Sequence, residues 1–470
     1  MKKSAALLAL IATGCASMQP AYVRPDSAIP ASWPVGDAYL RQSEAALPAV
    51  TYRDIFRDVR LQALIEQALV NNRDLALAAA NITAAREQYR IQRAQQLPQL
   101  DANAGTTLSG TADGSGINET YQAGLSVPNF EIDLFGRLRS LTDVQRNRYF
   151  ATEAAARTVR LAMVSDIATA WLTYGADASL LRIAEDTVVS AEKSVRLTRA
   201  RLEGGIAPRT DLRQAEQILE SARADVAGQK TALAQDVNLL RLLVGAEIDP
   251  TLLPVSIDQA LPTVAELPAG LDSQILLRRP DVVEAEYELR AANAQIGAAR
   301  AALFPRISLT GLLGFASTAL GGVFSSDSLA WSASGDAAYT IFQGGAGRAT
   351  VRLTEAQKDA AIASYQRIIQ QAFREVADAL ARRGTMDEQL RARRAQREAA
   401  ADSFLLTEAR YRNGIESFLD SLVSQRAYYT AQQSLVLSQL QAGTNRVDLY
   451  RSLGGDSLLS STPVTAIAGP

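Results

Sequence analysis

Beyond about residue 141 the apolar positions settle into a seven-residue rhythm. Ile167, Tyr174, Leu181, Val188, Val195 and Leu202 recur at that spacing, and Leu212, Leu219, Val226, Leu233 and Leu240 resume it after an interruption. A strict seven-residue repeat drifts against the 3.6 residues of a helical turn, so the two runs predict helices wound together as an antiparallel coiled coil. The first run would be roughly 90 Å long at about 1.5 Å per residue. The interruption reads "RLEGGIAPRTDL", residues 201–212, with Gly204, Gly205 and Pro208 breaking the helix. A second, less regular run carries Ile362, Ile369, Val376, Leu390, Phe404 and Tyr411, with Arg383 and Arg397 in two of its seam positions. It meets a break of its own, "RYRNGIESFLDS", residues 410–421. Gly205, Ile206 and Asp211 recur there as Gly414, Ile415 and Asp420, so each break is expected to be the tip of a long helical hairpin.

Ahead of each long run the rhythm changes to a period of two. Tyr121, Ala123, Leu125 and Val127 alternate with Thr120, Gln122, Gly124 and Ser126. Ile307, Leu309, Leu313 and Phe315 share one face of a second candidate; Trp331, Ala333, Tyr339 and Ile341 share one face of a third. With a weaker run at 100–108 they predict two β-hairpins of strands about ten residues long. That length suits a tilted membrane strand, and the same alternation also suits a half-buried soluble one.

The chain therefore repeats itself. "NRDLALAAANITAAREQYRIQRAQQLPQL" (72–100) answers "RPDVVEAEYELRAANAQIGAARAALFPRI" (279–307), and "FEIDLFGRLRS" (130–140) answers "YTIFQGGAGRA" (339–349). The expected division is a signal segment at 1–14, a tether and equatorial segment at 15–59, two homologous halves at 60–250 and 268–456, and a tail at 457–470. The first half would hold strands at about 99–109 and 120–133 and a tip at about 203–210. The second would hold strands at about 306–316 and 330–342 and a tip at about 412–419.

Composition narrows the chemistry. The 470 residues have a net charge of −2, which gives no electrostatic reason to expect nucleic acid. There is no histidine, and Cys15 is the one cysteine, so the commonest metal ligand, the commonest acid–base catalyst and internal disulfides are all excluded. No metal site or cofactor is expected. Lys2 and Lys3 precede a short apolar run and Thr13-Gly14-Cys15, the pattern of a secretory signal with a candidate lipidation site. Ala12 stands where such sites usually have leucine, and cleavage after Ala16 would instead discard the cysteine. After residue 16 no apolar run reaches the roughly twenty residues of a spanning helix, so a membrane span would have to be a closed barrel. Membrane barrels close from about eight strands upward. Four strands per chain therefore require several copies, and two or three would both suffice.

The signal, the paired strand and helix hairpins, and the motifs "NRDL" (72–75), "EIDLFGRLRS" (131–140), "LLRRPD" (276–281), "IGAARAALFP" (296–305) and "SLGG" (452–455) together resemble the TolC family of outer-membrane efflux proteins, nearest its OprM-like lipoproteins. The resemblance implies a mainly α fold with a membrane β-barrel part: a homotrimer forming a twelve-stranded outer-membrane barrel and a periplasmic α-helical tunnel. It implies a passive duct of a tripartite multidrug efflux system, not an enzyme, exporting small molecules delivered by an inner-membrane transporter and a periplasmic adaptor. Cys15 would carry diacylglycerol and an N-acyl group. Asp211 and Tyr411 would hold the periplasmic aperture shut, with Leu419, Asp420 and Val423 as its collar, and the tips at Gly204, Gly205 and Gly414 would dock the adaptor. Val423 stands where the family often has aspartate, and Glu416 where some relatives have a basic residue, so the closed aperture would rest on Asp420 or on an apolar collar. Asp211 would also serve as a helix cap, and Asp420 could be a plain solvated acid. The alternatives are a type I protein-secretion duct, a metal-efflux duct, or a structural coiled-coil envelope lipoprotein.

Overall fold

Both heptad runs are realised as single helices. The computed structural model describes residues 17–26, 30, 33–34, 51–110, 116–266 and 273–455. Cys15, the signal segment and the tail at 457–470 lie outside them. The order is α1 (Val59–Asn71), α2 (Arg73–Ala94), β1 (Asp101–Gly110), β2 (Ile117–Ile132), α3 (Arg137–Glu203) and α4 (Arg209–Val244), then α5 (Pro280–Ala301), β3 (Arg306–Ser317), β4 (Leu329–Ala338), α6 (Ala346–Arg412) and α7 (Phe418–Ser452). A strand hairpin followed by a helical hairpin thus occurs twice. The α3 and α6 helices have 67 residues each, about 100 Å at 1.5 Å per residue. Among the described residues no helix is long and apolar enough to cross a membrane.

The chain divides into two compact units. One comprises residues 1–27, 80–154 and 283–367. Its sheet has the order β1-β2-β3-β4, antiparallel throughout, so the hairpins of the two halves join through β2 and β3. The register aligns Ala102, Leu125, Leu313 and Trp331 across all four strands, and Ala104, Ala123, Phe315 and Leu329 beside them. Leu125, Leu313, Leu329 and Trp331 are exposed. Residues of the opposite parity include Gln122, Ser126, Thr310, Ser332 and Ser334, so one face is apolar and the other polar. Gly124 pairs with Gly314, and a Cβ built on Gly124 would stand 2.7 Å from the Gly314 Cα. Pro128 has no amide hydrogen to give the ladder, and the register shifts between Val127 and Phe130 around it. The last strand ends at Ala338, before Tyr339 and Ile341, which were expected to extend it.

The "EIDLFGRLRS" motif is the strand-to-helix corner. Arg137 grips the Glu131 carboxylate with two nitrogens at 2.7 and 2.8 Å, Asp133 accepts the Arg139 amide at 2.8 Å, and Gly136 turns the backbone with φ 73°. In the same unit residues 17–26 lie along α5. Asn293 donates to the Pro20 carbonyl at 2.8 Å, Gln19 lies so close to Gly297 that a Cβ there would meet it at 2.8 Å, and Arg24 pairs with Glu286 and with the Tyr365 hydroxyl.

The other unit comprises residues 28–79, 155–282 and 368–470. Its core includes Phe56, Leu61, Leu64, Ile65, Trp171, Leu240, Ile257 and Tyr450, all fully buried. Trp171 donates its indole hydrogen to the Leu252 carbonyl at 2.9 Å. "LLRRPD" supplies a buried arginine: Arg279 bonds the Ser452 carbonyl at 2.7 Å, Asp281 at 2.7 Å and Glu375 at 3.0 Å. Burial disfavours its charge, and the two carboxylates more than offset this, holding the guanidinium firmly protonated.

Candidate functional site

The two chain breaks have the same geometry. In the first, the Ile206 amide donates to the Arg201 carbonyl at 2.9 Å and Gly205 has φ 71°. In the second, the Ile415 amide donates to the Arg410 carbonyl at 2.9 Å and Gly414 has φ 75°. Each is a six-residue bond closing the helix over a left-handed glycine, which satisfies carbonyls that the helix end would otherwise leave open. A side chain at either glycine would strain the backbone. Gly204 needs no such freedom, since its φ is not positive and an added Cβ would only reach 3.4 Å from the Ala200 carbonyl. Ile206 and Ile415, just past the turns, are exposed.

The two acids after the tips are placed alike and held differently. Asp211 is the third residue of α4, whose cap position is Pro208, so the expectation that Asp211 caps this helix is corrected. Pro208 leaves the first amides without a side-chain acceptor, and Asp211 instead places negative charge in the first turn, at the positive end of the helix dipole. Asp420 is likewise third in α7, where Ser417 is the cap. The Asp420 amide donates to Ser417 Oγ at 3.3 Å, and that hydroxyl donates to the Asp420 carboxylate at 2.6 Å. Asp420 is thus part of a cap and not only a solvated acid. Leu419 and Val423 point out of the chain, 56% and 59% exposed.

Tyr411 lies inside. It is 5% exposed and packs with Val195 and Ala191 of α3, Leu212, Ala215 and Leu219 of α4, and Phe418 and Leu422 of α7. Its ring centroid is 5.4 Å from that of Phe418, and the Arg201 guanidinium lies 4.6 Å from it. Its hydroxyl is buried with no hydrogen-bond partner, so within one chain the expected bond to Asp211 is not made. A second buried orphan is close in sequence: Glu416 gives one oxygen to Arg410 at 2.7 Å and leaves the other unpartnered.

Polar contacts that sequence reasoning missed also tie the unlike hairpins together. The Tyr429 hydroxyl of α7 donates to Asp225 of α4 at 3.0 Å, and Gln425 donates to Ser190 of α3 at 3.2 Å. Burial, with the Asp225 charge beside it, raises the Tyr429 pKa, so the hydroxyl stays a donor. In the first hairpin, Asp177 and Asp236 occupy opposed seam positions. Burial raises both carboxyls, and Asp177 beside it helps push Asp236 up to about 7. The available signal was an aspartate four residues before a seam leucine in each helix, at Asp177–Leu181 and Asp236–Leu240. Among the described residues no group of three or more Asp, Glu, Cys or His side chains is arranged to hold a metal ion.

The family model described as outer membrane efflux protein matches residues 64–246 and 271–455. The chain is 42% identical to the solvent efflux pump outer membrane protein SrpC of Pseudomonas putida, over 96% of this chain and 98% of that protein. It is 40% identical to the outer membrane protein OprJ of Pseudomonas aeruginosa, over 96% and 95%. Among solved structures, a membrane protein from Pseudomonas aeruginosa superposes with a TM-score of 0.87 at 38% identity, covering 93% of this chain and all of that one. The open state of the Neisseria gonorrhoeae MtrE outer membrane channel gives 0.85 at 33% identity, covering 94% and 98%. With both halves matched and the likeness running almost end to end, the chain belongs to the outer membrane efflux protein family.

Proposed function

We propose that the chain is the outer-membrane duct of a tripartite efflux pump, assembled as a homotrimer and anchored by lipid on Cys15. The observation that carries this is the sheet. Its outer strands β1 and β4 are each paired on one side only, and four strands are too few to close a membrane barrel alone. Three copies would join those edges into twelve strands, with the row Leu125, Leu313 and Trp331 toward lipid. The contact between Gln19 and Gly297 supports the anchor, because Gly297 lies near the end of α5, shortly before β3 begins at Arg306. Cys15 is only four residues from Gln19, a reach of at most about 14 Å. Relatives are named for the efflux of solvents, toluene and antibiotics, which suits passive export of apolar small molecules delivered by an inner-membrane transporter through a periplasmic adaptor. The chain runs no reaction of its own and needs no cofactor.

The gate assignment follows from the tips. Asp211, Leu419, Asp420 and Val423 are available to neighbouring copies, whereas Tyr411 holds the two unlike hairpins of one chain together through its ring. The turns at Gly205 and Gly414, with exposed Ile206 and Ile415, suit the adaptor. The test is complementation of a strain that lacks its own outer-membrane duct. With a cognate pump and adaptor, the chain should restore solvent and antibiotic tolerance; without them it should not. Tolerance gained without a pump, or a cross-linked species other than a trimer, would overturn the proposal. Cys15→Ser should lose incorporation of labelled fatty acid, and retained label would remove the anchor.

A further inference from the structure

Near the tip the seam between α3 and α4 is apolar: Ala191 and Val195 of α3 cluster with Leu212, Ala215 and Leu219 of α4, and Val188 and Leu202 pack against them. Farther from the tip α4 contributes two polar residues with a buried, unpartnered oxygen, Gln229 and Asp236, the second facing Asp177 of α3. In the heptad pattern Tyr174 and Leu181 flank Asp177, and Leu233 and Leu240 flank Asp236. The Asp177 and Asp236 carboxyls face each other closely enough to interact as a hydrogen-bonding pair, and Asp236 Oδ2 is buried with no donor to satisfy it. Two carboxylates cannot share a hydrogen bond unless one holds a proton. Among the described residues no cation acts on either carboxyl. Burial and the nearby Asp236 charge raise the pKa of Tyr174 on α3, so its hydroxyl stays neutral, and Arg182 and Glu185 on that helix are exposed. On α4, Lys230 is exposed and Arg241 is engaged by Glu247. On α1, which packs against α4, Glu66 is paired with Arg53; on α7, Tyr429 is bonded to Asp225 and Gln439 to Asp258.

The position is mechanical as well as electrostatic. Two residues before Asp177, Gly175 lies against Pro254 and Ser256, where an added Cβ would come within 3.2 Å of the Pro254 ring. Two residues after it, Ser179 Oγ accepts the Ile257 amide at 2.9 Å. At this level α3 is clamped to the segment 254–257 that follows α4 on one side and to α4 on the other. Beyond it the hairpin runs about 40 Å to Gly204 at 1.5 Å per residue. A small separation at the aspartate layer becomes a larger displacement at the tip.

We propose that Asp177 and Asp236 form a proton-sharing pair at the fulcrum of the first hairpin, so that ambient pH sets its grip: the shared proton clamps α3 to α4, and its release to water leaves two like charges that push the helices apart and free the tip. The consequence for conductance rests on the duct reading; the proton itself does not.

Infrared spectroscopy of the purified protein tests the proton directly. A protonated-carboxyl stretch should be present at about pH 6, fade by about pH 8.5, and be missing at both in Asp236→Asn, where an amide donates in place of the proton. The sign for stability follows. The folded pair holds its proton above the ordinary carboxylate range, so wild type should lose Tm relative to Asp236→Asn as pH rises from about 4 to about 7, with no further loss above. In planar bilayers wild-type open time should rise severalfold between about pH 6 and about pH 8.5, while Asp236→Asn and the apolar pair Asp177→Leu/Asp236→Leu should show no such rise. A spectrum with no titrating band, or one unchanged in Asp236→Asn, overturns the shared proton. A titrating band without a pH-dependent open time, or a rise retained in both variants, overturns its control of the tip. If the chain conducts at no pH, the duct reading fails, and the infrared result still decides the pair.

Discussion

Replacing Tyr411 separates a core tyrosine from a hydrogen-bonded latch, because the two roles predict opposite signs. In the single chain the hydroxyl is buried and unpartnered, a situation that costs about 1–3 kcal/mol of desolvation for such a group. Tyr411→Phe deletes that oxygen and keeps the ring against Phe418 and beneath Arg201, where a cation over an aromatic face is worth about 0.5–1 kcal/mol. The expected result is a gain of about 1 kcal/mol, seen as a higher apparent Tm, with wild-type conductance and wild-type exclusion of large antibiotics such as vancomycin. Tyr411→Ala removes the ring from a cluster drawn from α3, α4 and α7, and should cost about 3–5 kcal/mol. That variant should also leak, since the unlike hairpins lose their shared packing. Thermal unfolding in detergent and single-channel recording on the same preparations check both statements. If Tyr411→Phe leaks, or loses about 1.5–3 kcal/mol, the hydroxyl is bonded to a charged acceptor in the assembly, and Asp211 of a neighbouring copy becomes the partner.

Alanine at Gly205 or Gly414 should cost about 1–2 kcal/mol each because both sit at positive φ, whereas Gly204→Ala should be near neutral; an equal loss of Tm at all three would contradict the tip geometry. Gly124→Val should prevent β2 from closing on β3 and abolish the folded sheet, while Gly335→Ala, whose added carbon would meet only the Leu309 side chain at 3.5 Å, should assemble normally on heat-modifiability gels. Arginine at Leu125 or Leu313 should cost about 2–4 kcal/mol if the row faces lipid near the midplane, and water-accessibility labelling of introduced cysteines along 120–127 should alternate with a period of two. Arg279→Met should destabilise by about 3–5 kcal/mol, since it leaves Asp281, Glu375 and the Ser452 carbonyl without their shared donor; a stability within 1 kcal/mol of wild type would show that water replaces it.

Sequence by itself determined what depends on local periodicity. The heptads in 167–240 dictate a two-helix seam because backbone geometry presents every seventh residue to the same side, and the register of that seam follows from where the glycines stop the helices. The period-two runs dictate a sheet with one apolar face, and the matching landmarks dictate that the pattern occurs twice. The glycines at 205 and 414 were legible for the same reason: a left-handed turn has a strong residue preference that needs no knowledge of neighbours. The fourth strand was overextended because Tyr339 and Ile341 keep the alternation after the ladder has ended, and pairing, not pattern, terminates a strand. Tertiary structure alone decided which strand joins the two halves, whether Tyr411 keeps or loses its hydroxyl partner, and that Ser417 makes Asp420 a cap residue while Pro208 leaves Asp211 without that role. It also decided that the seam aspartates face each other, so that burial and the neighbouring carboxyl set their protonation. Each of these depends on groups brought together from distant parts of the chain. The energy of a buried hydroxyl or carboxyl is set by what those groups offer it, which its own sequence neighbourhood does not encode.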